Sequence, residues 1–464
     1  MDDLGKLDNT LIIYITGDNG TSSEGGPTGT PNEVASVQGV HLPAEAMMKY
    51  YDVWGSDQTY PHMSVGWTWA FGTPFSWTKM VSSHFGGTKQ GTVISWPKVI
   101  KDKGGVRNQF HHVVDIAPTI LEATGIPLPE EIDGIEQTPM DGVSMLYTFD
   151  KKNADAPSTH KTQYFEMIGD RAIYHDGWIL STKVMRVPWD NSGTADKDPA
   201  SWPWELYDLS KDWTQFNDVA AQYPEKVKEM EKLFWAEADR NQVLPMDTTT
   251  FTRSLLPRPN LTAGRSVFTY SGEVIGTPNS NAPNLLASSY NIKAEVVIPE
   301  DGGEGMLVTQ GGRFAGYGFY LLDGKPVYLW NLFGMQRVKW EGKRALKSGK
   351  HTLEFDFEYD GLGAETLQYG SPSGLGRSGT GTLKVDGKVV ATKKMEKTIP
   401  MLLQWCESFD VGADTGSPVN DADYQTPFRF NGKLDKLTLT IDRPELSPED
   451  IEKLKMALHN TTSD

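Results

Sequence analysis

Apolar and polar residues alternate along several stretches of the last two fifths of the chain. Leu353, Phe355, Phe357 and Tyr359 interleave with Thr352, Glu354, Asp356 and Glu358, and Leu437, Leu439 and Ile441 with Thr438 and Thr440. Leu383 and Val385 lead into an Asp386-Gly387 turn and then Val389-Val390. A period of two places one face of a strand on a core, and Asp-Gly closes hairpins, so residues 265–445 are expected to form an all-β sandwich. The Gly/Ser-rich run from Gly361 to Gly381 reads as a mobile loop within it. Ser447-Pro448-Glu449-Asp450 has the spacing of a capping box, which would open a C-terminal helix over residues 446–464.

Upstream the pattern differs. Residues 241 to about 265 hold Pro245, Pro257 and Pro259 among Thr, Ser and Asn without periodicity and read as a linker. Between Thr162 and Arg240 four strand-like runs (163–166, 171–174, 178–181 and 205–208) precede a helix from Pro224 to Arg240, with Pro224 suited to the first helical position and Val227, Met230 and Phe234 on one face. Residues 151–245 therefore predict a small antiparallel sheet with one packed helix. Residues 1–150 mix signals: an apolar strand at Thr10–Thr16, a helical stretch near Asn32–Tyr50, a strand over Gly91–Trp96 closed by Pro97, and a helix near Val114–Thr124. The first strand is continuous enough to be a central strand buried on both faces, following the last turn of a helix that ends at Gly5. Few candidates for its neighbours precede the Gly, Trp and Pro-rich stretch at 54–78, so the expectation is an α/β domain of which this chain holds the C-terminal part.

Composition narrows the partners. With 61 Asp and Glu against 44 Lys and Arg, the 464 residues carry a formal charge of -17, which repels a phosphate backbone or an anionic membrane, so no nucleic-acid partner is expected. No run approaches the roughly 18 apolar residues of a membrane span, and Met1-Asp2-Asp3-Leu4-Gly5 has neither the basic nor the apolar region of a secretory signal. The one cysteine, Cys406, excludes an intrachain disulfide and reads as a buried strand thiol.

The chemistry begins at the carboxyl end of the first strand, where α/β sheets place ligands. There Asp18-Asn19-Gly20 offers a carboxylate and an amide oxygen, donors for a hard cation such as calcium or magnesium; the same tripeptide also makes a plain Asx turn. Lys79 stands seven residues before Gly86-Gly87, and a lysine beside a paired-glycine turn can neutralise an anion or remain a solvated surface residue. His111-His112 could be a metal pair, although adjacent side chains point to different faces; Asp115 suits a helix cap better than a base. His41, His62, His160, His175, His351 and His459 have no ligand-like spacing, and His84 reads either way.

Taken in order, Asp18-Asn19-Gly20, Lys79, Gly86-Gly87-Thr88-Lys89, Trp96-Pro97, His112-Val113-Val114-Asp115-Ile116-Ala117-Pro118-Thr119 and Gly142-Val143-Ser144-Met145 closely resemble the second half of the arylsulfatase-type sulfatases of the alkaline phosphatase superfamily. The resemblance continues through Glu205-Leu206-Tyr207-Asp208-Leu209, and Gly312–Gly318 looks like the accessory sandwich of larger members. It implies an α/β sulfatase fold, of which residues 1–150 are the C-terminal portion, and hydrolysis of a sulfate monoester such as an aryl sulfate or sulfated glycan. Asp18 and Asn19 would ligate Ca2+ (or, less readily, Mg2+), Asp18 would also lie near the nucleophile, and Lys79 would contact the sulfate and the leaving-group oxygen. Lys89 stands where the family usually has arginine, and the spacing after Lys79 is one residue off the family's. A periplasmic or secreted location is implied as well.

The family's nucleophile is a formylglycine made from the Cys or Ser of a Cys/Ser-x-Pro-x-Arg motif lying before this strand. Cys406, Ser95 and Ser201 each fail that pattern, and Asp2-Asp3 imitates the family's paired aspartates without a preceding strand. The chain is thus expected to be a truncated form. Two other readings stay open: a non-catalytic glycan- or partner-binding protein, with Tyr317, Tyr328, Trp330 and Trp340 stacking on sugars unless they are core, and a related phosphodiesterase or phosphonate hydrolase.

Overall fold

The computed structural model describes the chain except residues 18, 190–197, 249–259, 361–375, 400, 443–447 and 450–464. Most of the expected loop after Gly361 and most of the expected C-terminal helix therefore lie outside the described residues. The chain folds into two units, one formed by Met1–Ser23, Gly66–Asp190 and Ala195–Thr249, the other by Glu24–Val65, Asn191–Thr194 and Thr250–Asp464. These units do not divide at residue 150, and residues 24–65 join the unit that contains the sandwich.

In the first unit, strand β1 (Ile12–Thr16) precedes helix α1 (Val65–Gly72), and strand β2 (Gly91–Ser95) precedes helix α2 (Ile116–Thr124). β1 and β2 pair antiparallel, Ile12 opposite Ser95 and Thr16 opposite Gly91, as a two-stranded ribbon. This corrects the expectation of a central strand buried on both faces: Tyr14 is 62% and Val93, on its partner strand, 66% exposed. An apolar run suits a doubly covered strand, but β1 has one neighbour, and Leu11, Ile13 and Ile15 face an open groove shared with Ile116 and Ile120 of α2. Residues 1–5 form a hydrogen-bonded turn rather than the end of a helix.

The rest of this unit follows the sequence pattern closely. Strands β3 (Thr162–Met167), β4 (Asp170–His175), β5 (Trp178–Thr182) and β6 (Trp204–Asp208) form a four-stranded antiparallel meander. Helix α3 (Pro224–Arg240) starts on its proline and buries Met230, Phe234 and Ala238 against Ile173, Leu180 and Leu206 of the sheet. A fully buried Phe in such a stripe contributes on the order of 2–3 kcal/mol.

The second unit is a sandwich of two six-stranded antiparallel sheets. Its strands are β7 (Val267–Tyr270), β8 (Val274–Thr277), β9 (Ser289–Ile298), β10 (Gly305–Gly312), β11 (Ala315–Leu322), β12 (Lys325–Leu332), β13 (Gln336–Glu341), β14 (Gly349–Tyr359), β15 (Gly379–Val385), β16 (Lys388–Met395), β17 (Phe409–Val411) and β18 (Lys433–Asp442). One sheet has the order β8-β17-β10-β11-β12-β13 and the other β16-β15-β14-β9-β18-β7. The alternation read from residues 352–359 holds in β14, where Leu353, Phe355, Phe357 and Tyr359 join the inter-sheet core. Tyr317, Tyr328, Trp330 and Trp340 are buried in that same core, no more than 2% exposed, so they do not offer surfaces to a sugar. β10, β11 and β12 are covered on both faces, because Met306, Tyr320, Val327 and Leu329 pack with Val419 and Tyr424 on the outer side.

The helix expected over Asn32–Tyr50 breaks into Glu33–Ser36, Ala44–Met47 and the 3-10 turns Met48–Val53, with Gly39 at φ 82° and Pro43 between the first two. Asn32 caps Glu33–Ser36 through its Oδ1, and its Nδ2 donates to the carbonyls of Phe314 and Phe333, fixing this segment to the sandwich. Cys406 is exposed in a turn, contrary to the buried strand thiol expected of it.

Candidate functional site

Beyond β1, Gly20 meets two segments distant in sequence, around Lys79 and around Gly86-Gly87. Asp18 lies outside the described residues. Asn19 is exposed at φ 79°, and Gly20 follows at φ 98°. A Cβ on Gly20 would stand 2.2 Å from the Gly86 carbonyl oxygen, 2.8 Å from Gly87 Cα and 2.9 Å from the Lys79 nitrogen. Both the conformation and the space demand glycine. The chain continues through Thr21, whose carbonyl accepts the Lys79 N–H at 3.1 Å, and Ser22, whose carbonyl accepts the Thr68 hydroxyl at 2.6 Å. The buried Thr78 hydroxyl donates to Ser23 Oγ at 3.3 Å. Thus the backbones of Asn19-Gly20, Lys79 and Gly86-Gly87, far apart in sequence, are brought into contact, with the Lys79 side chain half-buried beside them.

The backbone around Lys79 is held in sparsely populated conformations. Trp77 lies at φ 68° and Met80 at φ 77°, positions that bulky side chains rarely adopt and that cost on the order of 1–3 kcal/mol each. Close packing sustains them: the Gly86 N–H donates to the Ser76 carbonyl at 3.0 Å, and a Cβ on Gly86 would be 2.1 Å from the Trp77 carbonyl oxygen.

The paired-glycine turn is in turn fixed to the small sheet. Gln215 accepts the Phe85 N–H at 2.7 Å and donates to the Ser83 carbonyl and to Ser181 Oγ of β5. His84 is buried, with Nδ1 2.9 Å from Ser83 Oγ and Nε2 3.6 Å from Glu205 Oε2 of β6. Burial pushes the Glu205 carboxyl up, but the contacts from His84 and Tyr207 outweigh it and hold the group below its ordinary value. Lys89 places its ammonium 4.6, 5.6 and 5.1 Å from the ring centroids of Phe75, Phe85 and Trp213, and burial lowers its pKa.

The histidine pair belongs to a hydrogen-bond cluster around Asp115, and among the described residues it is not part of a group of metal-ligating atoms. Asp115 is fully buried and accepts from His111 Nδ1 at 2.8 Å, His160 Nδ1 at 2.8 Å, and the backbone N–H groups of His112 and Val143 at 3.0 and 2.8 Å. Burial pushes this carboxyl up, and the four donors more than reverse the effect, holding it well below the usual carboxylate range. Asp115 differs from the helix cap expected of it: the cap is His112, with Asp115 as the N3 member of its capping box, and Asp115 makes no side-chain cap bond at the start of α2. His160, which showed no ligand-like spacing, is its second partner.

A separate constellation escaped the sequence reading. In the second unit, Glu24, Glu33 and His62 each bring one possible ligand atom within 4.8 Å of the others. The bridges Thr30–His62 and Asn32–Tyr60 assemble them, a pairing across about thirty residues that local spacing does not reveal. Trp69 and Trp77 were also missed, although the aromatic density of residues 67–77 was a visible signal. No described helix is long and apolar enough to cross a membrane.

Residues 1–126, which include the whole junction, match the family model described as Sulfatase. The chain is similar to an uncharacterized sulfatase of Schizosaccharomyces pombe (26% identity over 231 residues, 49% of this chain and 37% of that protein). It is also similar to arylsulfatase K of Xenopus laevis (33% over 122 residues, 26% and 20%) and to an N-acetylglucosamine-6-O-sulfatase of Bacteroides thetaiotaomicron (27% over 143 residues, 30% and 23%). The matched parts thus span well under half the length of each relative.

Proposed function

From residues 1–126, a sulfatase-family segment of the alkaline phosphatase superfamily, we propose that the chain carries part of the active site of a calcium-dependent, arylsulfatase-type sulfuric ester hydrolase. The observation that carries this reading is the close approach of Gly20 to Lys79 N, Gly86 O and Gly87 Cα, which supports a site built from Asn19, Lys79 and the glycine turn. In this reading Lys79 binds the sulfate and stabilises charge on the leaving oxygen as the S–O bond breaks. Asp18 and Asn19 hold the cation, and Asp18 assists the nucleophile.

The donor chemistry fits calcium. Asn19 offers an amide oxygen on an exposed turn and Asp18 a carboxylate, two of the roughly six to eight oxygens that calcium takes. When bound, the ion would supply positive charge to the sulfate oxygens. The nucleophile would be the family's formylglycine, which no Cys/Ser-x-Pro-x-Arg sequence in these residues provides; the full reaction would then belong to a longer chain, acting on an aryl sulfate or sulfated glycan in the periplasm or outside the cell. Residues 265–445 would serve as its accessory sandwich and 151–245 as the small antiparallel subdomain. A glycan-binding role for the sandwich loses the four aromatics first considered for it, since all are core.

The test is calorimetric titration of the chain with inorganic sulfate in calcium-containing buffer. Wild type should bind sulfate and Lys79→Gln should bind it at least about tenfold more weakly, the loss of one charge-assisted contact. Equal affinity in the two proteins, or no sulfate binding by wild type, refutes the reading.

A further inference from the structure

Helix α1 beside the Lys79 turn has an unusual surface. A surface helix normally turns an apolar stripe inward, yet here Thr68 is the one buried residue, while Trp67, Trp69 and Phe71 are 63%, 42% and 70% exposed. Thr68 and Gly72 set the helix against residues 21–22: the Thr68 hydroxyl donates to the Ser22 carbonyl, and a Cβ on Gly72 would lie 3.8 Å from Thr21 Oγ1. Thr21 is the residue whose carbonyl holds Lys79 N. The two flanks of this anchored face differ. On one, Trp67 and Phe71, four residues apart, stack on each other with centroids 6.1 Å apart. On the other, Trp69 stands edge-on to Trp77 at 5.8 Å and 75°. Trp77 is held at φ 68° two residues before Lys79.

We propose that Trp69 and Trp77 form the wall that receives the organic group of the ester whose sulfate is bound at Lys79, and that this group is a ring rather than an open alkyl chain. The inference rests on the sulfatase reading of the same site. Three features argue for it. Trp77 stands two residues before Lys79, so an aromatic surface and a lysine for the anion lie on one short segment, the two kinds of group that a small-molecule site combines. The edge-to-face pair leaves part of Trp69 uncovered, and a ring face or the C–H face of a pyranose covers such a surface better than a flexible chain, which loses rotamer freedom on ordering. Gly72 of α1 packs against the Trp77 carbonyl, where a Cβ would lie 3.6 Å away, so the helix that carries Trp69 is held to the segment that carries Trp77 and Lys79. Aryl and pyranosyl sulfates share this chemistry, and the probes below separate them.

The experiment titrates the chain with inorganic sulfate, butyl sulfate, 4-nitrophenyl sulfate and glucose 6-sulfate. Wild type should bind at least one of the two ring esters about tenfold more tightly than butyl sulfate, equivalent to ~1.4 kcal/mol and within the range of aromatic pairs. The tighter of the two ring esters identifies the source of the ring. Trp69→Ala should abolish that preference while inorganic sulfate binds as before; Trp69→Phe should retain most of it, and Trp67→Ala, on the other flank, all of it. Unchanged inorganic sulfate affinity shows that each variant is folded at the site. A wild type that binds butyl sulfate as tightly as both ring esters, or a preference that survives Trp69→Ala, overturns the proposal and leaves the sulfatase reading intact. Absence of sulfate binding by wild type overturns both.

Discussion

Asp170 opens β4 with its carboxylate in an adverse place. The residue is 1% exposed, and neither carboxylate oxygen has a hydrogen-bond partner. Burial pushes its pKa from 3.8 up to about 7; the charges of Arg186 and Arg171 pull against this and Glu166 adds to it. A carboxyl whose folded pKa is raised favours the folded state fully below its unfolded pKa, and that advantage is lost as pH rises through the folded value. A shift of about 3 units corresponds to ~4 kcal/mol of stability lost between about pH 4 and pH 7. Asp170→Asn keeps the shape and removes the ionisation. Wild type and variant should therefore unfold almost together at pH 4. At pH 8 the variant should be more stable by ~4 kcal/mol, or about 8–16 °C in the melting temperature of a unit of this size. Calorimetric melting at both pH values reads this directly. A variant advantage of the same size at pH 4 and pH 8, or none at pH 8, refutes the reasoning.

Three further outcomes follow from the packing. Gly20→Ala puts a Cβ within 2.2 Å of the Gly86 carbonyl oxygen at a positive φ, and should cost on the order of 2–3 kcal/mol in the first unit's melting and abolish sulfate binding with it. Asp115→Ala strips four donors of their acceptor and should cost about 3–5 kcal/mol at pH 7. Because Asp115's folded pKa is depressed, its contribution is present above pH 4 and lost as pH falls further, so acid titration of unfolding should show the variant's deficit shrinking at low pH. Trp330→Ala opens a cavity in the inter-sheet core and should lower the sandwich's stability by ~3–5 kcal/mol in urea unfolding.

Much of the architecture was legible where a local period decides it. The alternation at 352–359 and 437–441 fixed which residues of β14 and β18 turn inward, and the spacing of Val227, Met230 and Phe234 fixed the buried face of α3. Long-range pairing was not legible. The apolar run of β1 looks the same whether its strand has one neighbour or two, and only the register with β2 shows that its faces are open. The aromatics of β11 and β12 could have been surface or core by pattern alone, because a second layer covers their outer face. Residues 24–65 were assigned with the α/β segment, whereas Asn32 ties them to carbonyls 282 and 301 positions away. At the site the motif residues could be named, but the contact of Gly20 with Lys79 and Gly86 comes from tertiary packing, as does the assignment of His111 and His160 to Asp115.

The central claim is that this junction binds a sulfate group, and a crystal structure of the chain grown with a sulfate ester and calcium tests it most directly. Sulfate density is expected within hydrogen-bonding distance of Lys79 Nζ, beside Asn19 and Gly86-Gly87. Sulfate bound elsewhere on the chain, with Lys79 making no contact to it, would rule out sulfate recognition at this junction.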